Sequence, residues 1–137
     1  MARITLKDAV QAIGIGKFVE KTIKFHDSFG NEVEGEILIK VVSHDDIVNS
    51  TDVLGIDFNK MTIDQLNKAR LLEVVYSDED TKFFSDIKST GTISTEALQA
   101  IYDAADEVLD FSGKLRKLAK NKSSGVNSSS TESPEEL

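Results

Sequence analysis

The sequence predicts an α+β fold in which an N-terminal antiparallel β-hairpin is followed by a mostly α-helical segment and a disordered C-terminal tail. Three observations carry this. Residues 17–42 alternate apolar and polar with period two on both sides of a turn-forming stretch. From Thr62 onward the apolar residues recur at helical spacing behind helix-start signals. Beyond Lys120 only Val126 and Leu137 are available to a core, too few to offset the entropy of ordering that segment. Residues 1–120 therefore read as one acidic domain and 121–137 as a disordered Ser/Glu-rich tail. At 137 residues, a single hydrophobic core is the expectation.

The elements follow in order. Thr5 and Asp8 have capping-box spacing, and Leu6, Ala9, Val10 and Ile13 form an apolar stripe that Gly14 and Gly16 stop. A short opening helix results. In 17–25, Val19, Ile23 and Phe25 share one face and Glu20, Thr22 and Lys24 the other, while 33–42 repeats the alternation through Gly35, Ile37, Ile39 and Val41. Asp27, Ser28, Gly30 and Asn31 between them suit a hairpin turn. Residues 43–54 open on a cap-like Ser43-His-Asp-Asp46 and contain a turn-like Asn49-Ser-Thr-Asp52, which gives one short helix. Thr62 and Gln65 cap a helix over 63–76, with Ile63, Leu66, Ala69 and Leu72 as its stripe and Leu71, Val74 and Val75 widening it. A helix restarting at 77–80 carries Phe83, Phe84 and Ile87 as far as Thr90-Gly91, with Asp78, Glu79 and Asp80 in its first turn. Ser94 caps a last helix over 95–112, flanked by Ile93 and Leu98 in staple positions, with Gly113 as stop or kink.

Charge and composition narrow the function. Sixteen Lys plus Arg against 24 Asp plus Glu leave −8, of which the tail holds −2 and residues 1–120 hold −6. This balance repels a phosphate backbone, so no nucleic-acid partner is expected. The one basic cluster, Lys114, Arg116, Lys117, Lys120 and Lys122, suits a helix C-terminus equally well. The longest apolar runs fall far short of the roughly 20 residues of a membrane span, so no membrane partner is expected. The opening residues lack a secretory h-region and there is no cysteine, which together indicate the cytoplasm.

Chemistry-bearing patterns are sparse. His26 precedes Asp27, and His44 precedes Asp45 and Asp46. If both histidines lie at one end of the hairpin, a hard-ion site is conceivable, but no spacing enforces convergence, and surface histidines beside turn-forming aspartates are the plainer reading. Gly14-Ile-Gly16-Lys17 lacks the length and the hydroxyl of a phosphate loop, since Phe18 follows the lysine. No nucleophile elbow, catalytic cysteine, metal ligand set or cofactor motif is present in the sequence. A non-enzymatic binding protein is the expectation. Leu72, Val75 and Phe83 are assigned to the core, and Phe84, Leu115, Arg116 and Leu118 to partner binding.

The order of segments resembles the tail assembly chaperones of long-tailed bacteriophages. It is carried by a hairpin over 18–42, a helix around Leu66-Asn-Lys-Ala-Arg-Leu-Leu72, a helix over 93–111 and a Ser-, Glu- and Lys-rich tail after Ser112-Gly113. The resemblance spans about residues 17–120. It implies a protein that is not an enzyme, that binds the tape measure protein and in some cases the tail tube protein, and that keeps the former soluble. It also implies action in the cytoplasm of the infected host, absence from the finished virion and a longer product made by ribosomal frameshifting. An acidic domain with an apolar stripe suits homo-oligomerisation, which multiplies weak contacts by avidity. The alternatives are a phage or prophage adaptor for another protein and a small metal-dependent enzyme using His26 and His44.

Overall fold

The computed structural model describes residues 3–113 and has the expected α+β architecture, with an N-terminal antiparallel hairpin followed by helices. The proposed tail and the residues around Lys120 lie outside the described residues. Helix α1 (Leu6–Ile13) begins at a complete capping box, in which the Asp8 amide donates to Thr5 Oγ1 at 3.1 Å and the Thr5 amide to Asp8 Oδ2 at 3.3 Å. It ends on Gly14 at φ 83°, a left-handed conformation that a side chain would strain. Strands β1 (Phe18–His26) and β2 (Glu32–Lys40) pair over their full length, from Phe18 opposite Lys40 to His26 opposite Glu32. Asp27 builds the turn, since its carboxylate accepts from the amides of Phe29 and Asn31, both at 2.9 Å.

Helix α2 (His44–Asn49) carries a second capping box, between Ser43 and Asp46, and runs on into a 3₁₀ turn at Ser50–Leu54. A second 3₁₀ turn, Phe58–Lys60, precedes α3 (Ile63–Val74). The helix expected over 63–76 stops two residues early. Val75 still donates its amide to Leu71, but its backbone is already extended, and it pairs with Ile39 of β2 as the first residue of β3 (Val75–Asp78). Two β-branched residues followed by a tyrosine fit a half-buried sheet better than the rest of a fourth helical turn. Strand β4 (Thr81–Lys82) returns alongside, which completes a four-stranded antiparallel sheet in the order β1-β2-β3-β4.

The helix expected to restart at 77–80 is therefore absent. Asp78 instead accepts from the Asp80 amide at 2.9 Å and turns the chain between β3 and β4. After it only a 3₁₀ turn forms, at Lys88–Gly91. Helix α4 (Thr95–Leu109) starts at Ser94, whose hydroxyl accepts from the Ala97 amide at 3.1 Å. It stops at Asp110 in a left-handed conformation, short of the expected residue 112, while Asp106 binds both the amide and the hydroxyl of Ser112 at 2.8 Å.

The core lies between one face of the sheet and α3 with α4. Ile23, Ile37 and Ile39 come from the hairpin, Leu71, Leu72 and Val74 from α3, and Ile101, Ala104 and Ala105 from α4. The alternation expected along β2 holds through Ile39. Once the strand ends at Lys40 the phase slips, and Val42 is buried in place of Val41. Alanines on the buried face of α4 let the helix approach the sheet closely. Two ion pairs tie α4 to β1, His26 with Glu96 and Lys21 with Glu107. The strand between residues 21 and 26 rises about 17 Å, and the helix between 96 and 107 about 16 Å, so the two antiparallel elements are matched in length. Among the described residues no helix is long and apolar enough to cross a membrane.

The His26–Glu96 clamp is two-pronged. Nδ1 of His26 lies 2.7 Å from Glu96 Oε2, and the His26 amide donates to Oε1 at 3.0 Å. Hydrogen bonding to Glu96 and its charge raise the His26 pKa above its ordinary 6.5, with Glu32 and Asp27 adding to the effect. The same hydrogen bonds hold Glu96 below its ordinary 4.5. The histidine's contribution to stability is complete below about pH 6.5 and is lost as pH rises through the raised value. The glutamate's contribution is present above about pH 4.5 and is lost as pH falls through the lowered value. The melting-temperature difference between the wild type and Glu96→Gln is therefore expected to be largest between about pH 4.5 and 6.5 and to shrink on either side. It should also fall with added salt, because the pair is exposed. In an NMR titration, Glu96→Gln should move the His26 pKa back toward 6.5. Ile39→Ala, at a fully buried position, should cost about 2–5 kcal/mol by chemical denaturation. Ile63→Ala, at 77% exposure, should cost less than about 0.5 kcal/mol.

Candidate binding groove

The chain leaves β2 at Lys40 and turns through Val41 and Val42 into α2, so the apolar side of α2 faces the first half of α3 across a gap. That gap is a cavity of about 540 Å³. Val42, Leu66, Leu109 and Phe111 line it on the core side, while Ile47 and Val48 of α2 and Phe58 of the following 3₁₀ turn form its lip. Val48 and Phe58 are more than half exposed, and Val53 and Ile56 of the same loop are exposed as well. Apolar side chains concentrated around a concavity mark a binding surface more than scattered ones do.

Arg70 is one of five polar residues that line the groove, with Ser43, His44, Thr51 and Asp110. Its guanidinium carbon lies 5.3 Å from the centre of the Phe111 ring, a cation–π contact, and its buried Nε has no hydrogen-bond partner among the described residues. Phe111 also packs beside Tyr102 at 6.2 Å between ring centres. Burial first, and the nearby Asp106 second, raise the Tyr102 pKa, so its hydroxyl stays protonated. Residues 43–58, the segment that supplies the lip, contain Asp45, Asp46, Asp52 and Asp57 and no lysine or arginine. The groove is thus mainly apolar, with Ser43, His44, Thr51, Arg70 and Asp110 as its polar lining, and the segment that forms its lip is acidic in sequence.

A second apolar surface starts beside it. Helix α1 buries none of its residues, and Leu6 at 82% and Ile13 at 61% exposure stand in line with Val10. Its exit is fixed by backbone hydrogen bonds. Gly16 donates to the Val41 carbonyl at 2.7 Å, Val41 donates to the Lys17 carbonyl at 2.8 Å, and Lys17 donates to the Gly14 carbonyl at 3.0 Å. The glycine pair therefore ends a helix and reverses the chain, in agreement with the reading of Gly14-Ile-Gly16 as a stop.

The residues singled out from sequence fare unequally. Phe84, expected at a partner surface, is a core residue at 2% exposure, and Phe83, expected in the core, is the outward one at 39%. The pair packs edge to face at 4.9 Å, and losing the expected helix exchanges which ring points inward. Leu72 and Val75 are buried as expected. Leu115, Arg116 and Leu118 lie outside the described residues. The two histidines do not converge. His26 sits at the turn end of the hairpin opposite Glu32, whereas His44 follows the opposite end, where Lys40 pairs with Phe18. Among the described residues no group of three or more His, Cys, Asp or Glu is placed to hold a metal. Val48, Phe58 and Arg70 went unnoticed in the sequence; the signal was the apolar run Val53-Leu-Gly-Ile-Asp-Phe58, which fits neither repeat.

Comparison with protein-family models, with curated proteins and with solved structures found no match to this chain.

Proposed function

We propose that the protein is a non-enzymatic tail assembly chaperone of the kind found in long-tailed bacteriophages, holding the tape measure protein soluble in the host cytoplasm. The observation that carries this reading is the mainly apolar groove between α2 and α3, on a domain whose overall charge keeps it dispersed. An amphipathic helix laid into such a groove anchors by side chains one turn apart. A long helical client repeats that stripe, so many copies bind it in series through individually weak contacts. The segment order of hairpin, α3 and α4 agrees with the resemblance stated above. The tail tube protein is a second client of the same kind, and a frameshifted longer product would join the chain beyond the described residues. A groove of this size also suits the alternative, an adaptor that takes one helix from one partner.

Co-expression with the tape measure and tail tube proteins of the same genome tests the reading. The wild type should raise the soluble yield of the tape measure protein and co-purify with it in several copies per client. Val48→Asp combined with Phe58→Asp should lower capture at least tenfold, about 1.4 kcal/mol in binding, with the domain's own melting temperature nearly unchanged. Capture of a single short helix at one-to-one stoichiometry would favour the adaptor, and capture of neither tail protein would refute the chaperone.

A further inference from the structure

We propose that the protein self-associates by seating α1 of one copy in the α2–α3 groove of a second copy. Helix α1 is well formed, with a full capping box at one end and a glycine stop at the other, yet it buries none of its residues. A helix of eight residues is marginal in water unless its apolar face is covered. Leu6, Val10 and Ile13 make that face, and it is left open to solvent. The hydrogen bonds joining Gly16, Lys17 and Val41 fix how α1 leaves β1, and none of the described residues covers its apolar face.

Three features identify the groove of a second copy as that cover. The groove, about 540 Å³, is lined mostly by apolar side chains, whereas the concavity of about 550 Å³ beside Lys24 and α4 is lined by Lys24, Glu96, Gln99 and Asp103 among others. Charge is complementary: residues 3–17 carry Arg3, Lys7 and Lys17 against Asp8, a net +2, whereas residues 43–58 carry four aspartates and no lysine or arginine. Position is favourable too, because α1 is tied to Val41 and the groove begins at Val42, so both surfaces sit at one end of the hairpin. A two-fold axis near that end satisfies both helices at once in a closed, reciprocal dimer.

Sedimentation and light scattering on the full chain test this, and the assay needs no client. The wild type should dimerise with concentration, and more weakly at high salt. Leu6→Asp/Val10→Asp and Val48→Asp/Phe58→Asp should each be monomeric at concentrations where the wild type is dimeric, since each removes one side of both contacts. Both alter exposed positions, and unchanged melting temperatures serve as the folding control. Mixed one to one, they should recover a heterodimer held by the single intact contact. The chain has no cysteine, so Leu6→Cys mixed with a tagged Phe58→Cys should give a disulfide-linked heterodimer on oxidation. A strictly monomeric wild type, no recovery on mixing, or cross-linking of Leu6→Cys only to itself would each overturn the proposal. Because the α1 variant leaves the groove intact, loss of dimer with retained client capture separates this contact from the chaperone reading.

Discussion

A two-stranded hairpin cannot hold its own apolar face out of water, and the way this one is covered sets the rest of the molecule. Helix α4 lies antiparallel along β1 and brings alanines to the sheet, so that Ile23, Ile37 and Ile39 meet Ile101 at short range. His26–Glu96 and Lys21–Glu107 fix the two ends of that crossing. With α4 placed, α3 has one remaining wall to pack against, and its C-terminus arrives at the free edge of β2. The groove follows from the same placement. The hairpin's far end and α2 are left standing away from the first half of α3, and Leu109 and Phe111 are carried into the space between.

The sequence made the hairpin and the helix starts legible because both depend on neighbours in the chain. Thr5, Ser43, Thr62 and Ser94 all cap the helices their spacing announced. What it hid depends on residues far apart. Val75 and Tyr76 continue a helical stripe in one dimension, and only the open edge of β2 turns them into a strand. Once that strand forms, Asp78–Asp80 becomes a turn and Phe84, not Phe83, faces inward. Lys21 shares the strand face of Ile23 and Phe25, and its partner there is Glu107, 86 residues on in the chain. The groove was less legible still, since Val48, Phe58, Arg70 and Phe111 share no period and come from four separate parts of the chain.

The distribution of exposed apolar groups is uneven in an informative way. Around β1 and α4 the surface is charged and its ion pairs are satisfied locally. At the opposite end of the hairpin Leu6, Ile13, Val48 and Phe58 all face solvent within a segment pair of opposite charge. One end of the domain holds it together and the other is free to be occupied, so a change at the lip of the groove has little to disturb in the core.

The passage from α3 to β3 has no loop. Val74 closes the helix and Val75 opens the strand, so one peptide bond separates a rod from a sheet, and both residues are fully buried. Loops absorb displacement because their torsions are soft; here nothing soft intervenes. Leu66 sits toward the other end of the same rod and Arg70 partway along it, so pressure on Leu66 from an occupant of the groove would act as on a lever whose far end is stitched to β2. An occupant pressing on Leu66 would therefore bear on the hairpin some 12 Å away through a helix with no loop between them.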